Sequence, residues 1–86
     1  MGKISNTQYF RMNLDNEISV KDILDRVYTA MLEKGYNPVN QIVGYIMSGD
    51  PTYITSHKGV RSLIMKVERD EILEELMSVY IDAKLR

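Results

Sequence analysis

The chain has 86 residues, 44% of them hydrophobic and 27% charged, with eleven Lys and Arg against twelve Asp and Glu, one His and no Cys. A chain this short makes one domain, buries roughly 60 to 65% of its unfolded surface, and without a disulfide depends on well-formed helices or on a second subunit. A net charge of −1 gives no general attraction for nucleic acid or anionic lipid, and the lack of cysteine removes disulfide frameworks, thiol catalysis and thiolate metal sites.

At the start, Met1 to Asn6 lack the apolar core of a secretion signal, and Asn6 stands where a myristoylation signal wants Ser or Thr. No later run has the length of a membrane span, so a cytoplasmic protein without membrane insertion is expected. Residues 1–18 scatter polar side chains without a stable period and read as a flexible N-terminal tail, ahead of a helical domain over residues 19–84. The tail's one apolar cluster, Tyr9-Phe10 with Met12 and Leu14, alternates as a short extended piece does and is able to dock on the body.

The first helix opens at Ser19, a hydroxyl cap with Asp22 in the acidic place of a capping box. Val20, Ile23, Leu24, Val27, Tyr28, Met31 and Leu32 keep the spacing of one buried face, and Asp22 and Arg26 stand four apart as an acid-first ion pair. Gly35 supplies a left-handed end. Asn37-Pro38 is a cap followed by a first-position proline, so a second helix runs to about Ser48 and stops at Gly49. Its apolar residues, Val39, Ile42, Val43, Tyr45, Ile46 and Met47, cover most of its circumference. That predicts burial on several sides, partly by another subunit, and the internal Gly44 predicts a close helix approach.

Asp50-Pro51 repeats the cap-and-proline device for a single turn through Tyr53 and Ile54. From Ser56 a helix carries Val60, Leu63, Ile64 and Val67 on one face. Asp70 and Glu71 interrupt that stripe, so a break is expected over residues 68–70, before a last helix with Ile72, Leu73, Leu76, Val79 and Tyr80 that reaches about Ala83. The sum is an all-α, compact bundle of four to five short helices.

Catalytic chemistry finds little to stand on. His57 is the one histidine and reads as an exposed or capping residue. Asp70, Glu71, Glu74 and Glu75 carry the four-residue spacing of a dinuclear metal site without its Glu-x-x-His pairs, and read as macrodipole partners. Gly44 and Gly49 lack the spacing of a phosphate loop. No enzyme, no cofactor and no metal are expected. Tyr and Met residues fall mainly on core stripes, with Tyr36, Tyr45 and Tyr53 set apart for a contact surface.

Charge is uneven along the chain. His57, Lys58, Arg61, Lys66 and Arg69 face Glu68 alone in their stretch, and five acids without a base follow over residues 70–82. Two solvated faces that pair with each other explain this plainly. The sharper reading is a basic patch for an acidic or phosphorylated partner, since Arg forks bind carboxylate and phosphate bidentately. Ser5 and Thr7 put hydroxyls in the tail, within reach of a kinase.

The run Glu33-Lys34-Gly35-Tyr36-Asn37-Pro38-Val39-Asn40-Gln41-Ile42-Val43-Gly44-Tyr45 is long and specific. With Ser48-Gly49-Asp50-Pro51, Tyr53-Ile54, His57-Lys58, Glu68-Arg69-Asp70-Glu71 and Glu74-Glu75-Leu76, it resembles the IreB/ReoM family of small regulatory phosphoproteins of Gram-positive bacteria, from about Val20 to Tyr80. The resemblance implies a non-enzymatic, homodimeric helical protein, substrate of a membrane Ser/Thr kinase with extracellular PASTA domains and of its partner phosphatase. It also implies control of peptidoglycan synthesis and antibiotic tolerance. In this family the unphosphorylated form promotes turnover of MurA by the ClpC–ClpP protease, and phosphate relieves it.

On the same resemblance the acceptor falls on Thr7, ahead of Tyr9-Phe10, with Ser5 as the one residue able to serve as a second site. The basic stretch matches at His57, Lys58, Arg61, Lys66 and Arg69, while Ser56 and Met65 replace arginines of close relatives and weaken the patch. Tyr36, Asn37, Pro38, Gln41, Gly44 and Tyr45 are expected at dimer or core contacts. The working mechanism is a Thr7 phosphate that recruits Arg61 or Arg69 and repositions the tail. A constitutive interaction adaptor without phosphoregulation shares the fold and patch but predicts no kinase dependence. An RNA-binding regulator rests on residues 58–69 alone and lacks an aromatic platform among the bases.

Overall fold

Ser19 Oγ accepts the N–H of Asp22 at 3.1 Å and so starts the first helix where the sequence put its cap. The structure, a computed structural model, describes residues 18–86; Ser5, Thr7 and the Tyr9-Phe10 cluster lie outside them. Helix α1 spans Val20–Glu33 and α2 spans Pro38–Ser48. A 3-10 turn follows at Pro51–Tyr53 and a second at His57–Gly59; then come α3, Val60–Ile64, and α4, Arg69–Tyr80, extended by a π turn at Ile81–Leu85. The fold is all-α, with no strand among the described residues.

Local chemistry sets the boundaries. Asn37 Oδ1 accepts from the Asn40 N–H at 3.2 Å to open α2, and Asp50 Oδ1 takes both the N–H and the hydroxyl of Thr52 to open the first 3-10 turn. Gly35 and Gly49 end α1 and α2 at φ of +81° and +77°, a region closed to most side chains. The Glu68 N–H donates to Glu71 Oε1 at 2.8 Å at the start of α4.

The core gathers around α1. Ile23, Val27, Ala30 and Met31 of α1 meet Tyr45 of α2, Ile54, Val60 and Ile64 of α3, and Ile72 of α4, all buried. Four expectations are corrected. The third helix begins at Val60 rather than Ser56, because Lys58 and Gly59 both take positive φ, +56° and +73°, and turn the chain first. The break before the last helix comes earlier, with α4 beginning at Arg69. The close approach at Gly44 is made by the Tyr53 ring and not by a helix. On α1 the ion pair joins Lys21 to Asp25 at 3.1 Å, in place of Asp22 with Arg26.

Burial departs from the stripes in one direction. On α2 only Tyr45 is fully buried, while Val39, Val43 and Met47 are 69%, 51% and 78% exposed. Tyr45, expected at a dimer or core contact, is core; Met47, Tyr28 and Tyr80, assigned to stripes, are more than half-exposed. These helices carry more apolar surface than the other described residues cover.

Candidate functional site

The turn region between α1 and α3 is held by one small set of side chains. Glu33, the last residue of α1, accepts from His57 Nε2 at 2.9 Å and from Lys58 Nζ at 3.1 Å. A carboxylate is acceptor only, so His57 carries its proton on Nε2 here. The His57 hydrogen bond first, then that of Lys58, holds the Glu33 carboxyl below the usual glutamate range. Gln41 of α2 donates from Nε2 to the Tyr53 carbonyl at 2.9 Å, and Gly44, one turn on, leaves the space that the Tyr53 ring fills. Asp50 is likewise lowered, mainly by the Thr52 N–H and then by its hydroxyl.

The run of residues 33–45 is thereby a structural device. Glu33 anchors the second 3-10 turn, Gly35 turns the chain, Asn37 and Pro38 start α2, Gln41 and Gly44 seat the first 3-10 turn, and Tyr45 enters the core. Tyr36 donates its N–H to the Met31 carbonyl at 2.9 Å and keeps a half-exposed ring.

The basic residues do not form the two paired faces of the plain reading. His57 and Lys58 reach α1 through Glu33. Arg61 donates from Nε to the Ile54 carbonyl at 2.8 Å, and Arg69 donates from Nη1 to the Ile46 carbonyl at 2.9 Å. The Arg69 guanidinium also lies over Gly49, where a Cβ would stand 2.9 Å from it. Each guanidinium has five N–H groups, so both keep donors for a partner, alongside the exposed Lys66 ammonium. Lys58 is the single non-glycine residue at positive φ among the described residues. Among those residues no three His, Asp or Glu side chains gather to hold a metal ion, and no ion pair joins an acid of α4 to these basic residues.

Residues 5–82 match the family described as IreB regulatory phosphoprotein. The chain belongs to the IreB family. A relative from Lachnoclostridium phytofermentans, named UPF0297 protein, is 72% identical over all 86 residues and 98% of its own length. The family is one of regulatory phosphoproteins and not of enzymes, so the role of the chain is regulatory. Among the described residues no helix is long and apolar enough to cross a membrane.

Sequence reasoning missed two features of this IreB-family chain. Glu33 was read only as part of the family run, because its partners lie 24 and 25 residues on and no local spacing reveals them. The second is an apolar groove of about 230 Å³ between α1, α2 and α4, lined by Tyr28, Pro38, Val39, Ile42, Val43 and Leu76. Its signal was present in the all-round apolar pattern of α2.

Proposed function

We propose that this chain is a phosphorylation-controlled regulator of peptidoglycan synthesis, acting in the cytoplasm as a homodimer. A PASTA-domain Ser/Thr kinase phosphorylates Thr7, with Ser5 as a second acceptor, and the partner phosphatase reverses the mark. The unphosphorylated form promotes ClpC–ClpP turnover of MurA, and the phosphate relieves it. The observation that carries this reading is the match to a regulatory phosphoprotein family over residues 5–82, a span that takes in both hydroxyls.

The partner surface is assigned to His57, Lys58, Lys66 and the spare donors of Arg61 and Arg69. The backbone at Lys58 supports it. A lysine in the left-handed region costs about 1–3 kcal/mol, and its pairing with Glu33 is solvent-exposed and returns little. Glycine would adopt that turn without strain, which supports a use for the side chain in a partner contact beyond its tie to Glu33. Phosphate on Thr7 adds nearly two negative charges, which compete for these donors. The homodimer is supported by the open apolar groove, a surface that water disfavours and a second copy covers.

The test is peptide mass spectrometry after incubation with the kinase domain of a PASTA kinase from the same organism. One phosphate on Thr7 is expected, lost in Thr7→Ala together with the response of MurA turnover to kinase. An unmodified chain beside a kinase active on a control substrate would reject the reading in favour of a constitutive adaptor.

A further inference from the structure

The inward stripe of α4 outruns the core. Ile72 is fully buried, yet Leu76 and Val79, which follow it on the same side, are 40% and 55% exposed, and Ala83 continues the stripe uncovered. With Leu24 of α1 and Tyr80 they floor an open cleft between the start of α1 and the end of α4, with Glu75 on its rim. This cleft shares only Leu76 with the groove of Tyr28 and Val43.

We propose that the cleft is the seat of residues 9–14 of the same chain. Three observations select this occupant. Ile18 packs against the core immediately before α1, and Lys21 and Leu24, three and six residues further on, are walls of the cleft. Phe10 lies eight residues before Ile18, a reach of about 26 Å at ~3.3 Å per residue, against about 16 Å along α4 from Ile72 to Ala83 at ~1.5 Å per residue. Phe10, Met12 and Leu14 alternate, which in an extended segment sets three apolar side chains on one face, to meet the apolar floor of the cleft, and Arg11 on the opposite face, toward solvent.

This deepens the phosphorylation reading by giving the unmodified tail a place, with Thr7 two residues outside the docked cluster. It is tested on the unphosphorylated chain, so its failure would leave that reading standing.

The chain has no cysteine, so Gln8→Cys creates a single site for a nitroxide spin label. In the labelled full chain the amide signals of Leu24, Leu76 and Val79 should lose most of their intensity, while Tyr36, beyond the far end of α1, keeps its own. Val79→Asp, a change on an exposed side chain, should restore the Leu24 and Leu76 signals. A mixture of spin-labelled unenriched chain with unlabelled nitrogen-15 chain should show no such loss. Weak, uniform loss along the chain, or loss centred on Tyr28 and Val43, overturns the proposal. So does loss that persists in the mixture, because a second copy would then occupy the cleft.

Discussion

At the scale of single residues, Gly44 and Tyr53 form a unit that neither explains alone. Glycine inside α2 costs about 1 kcal/mol relative to alanine, and it is kept because a Cβ there would run into the Tyr53 ring. Overpacking of that kind costs typically about 1–3 kcal/mol. Gly44→Ala should therefore lower stability by up to about 2 kcal/mol after the helix gain is counted. In a Tyr53→Ala background the sign should reverse, to a gain of about 1 kcal/mol, since only the helix preference remains. The Gln41 hydrogen bond survives that change, as it is made to the Tyr53 backbone carbonyl. Urea unfolding of the four chains measures the cycle; an equal effect of alanine in both backgrounds would show that the ring is not what keeps the glycine.

At the scale of elements, α1 is tied to the second 3-10 turn by Glu33. The folded state holds this carboxyl low, so the tie contributes stability that is fully present above the ordinary glutamate pKa and is lost as pH falls through the lowered folded value. Glu33→Gln should lower stability slightly at neutral pH and converge with the wild type below about pH 3, so that its acid limb between about pH 5 and pH 3 is flatter. Thermal midpoints of both chains across that window decide it; parallel limbs would mean that the tie adds nothing. The same contrast between local and distant partners governs what the sequence revealed. Ser19, Asn37 and Asp50 were legible as caps because a cap and its acceptor lie two or three residues apart. Gly35 and Gly49 were legible because few other residues end a helix in that way. The left-handed Lys58 was not, since its side chain answers to Glu33, 25 residues earlier. Nor was the use of Arg69, whose acceptor is the Ile46 carbonyl, 23 residues back. A basic patch read from composition thus dissolved, in part, into hydrogen bonds of the fold. The family, in contrast, was legible as a resemblance carried by residues 33–45, the same residues that build the turn device.

At the scale of the whole molecule, apolar pattern and apolar burial disagree, and the disagreement has a location. Periodicity reports how much of a helix avoids water, and only the structure reports how much one copy of the chain covers. Tyr28, Val39 and Val43 line the groove and are each about half-exposed or more, while the nine core residues close without them. In a twofold dimer an isologous face meets itself, so one substitution enters the interface twice. Val43→Asp would bring two carboxylates into an apolar, water-poor seam, at a penalty of several kcal/mol per uncompensated ion, and every 1.4 kcal/mol is tenfold in affinity. Sedimentation equilibrium should then find the wild-type chain as a dimer and Val43→Asp as a monomer. Circular dichroism should find unchanged helix content, because Val43 is 51% exposed and outside the core. Val79→Asp, beyond the groove, should leave the dimer intact and so separates this face from the cleft at the end of α4. A Val43→Asp chain that sediments as the wild type would remove the groove from the interface, and a monomeric wild type would remove the dimer itself.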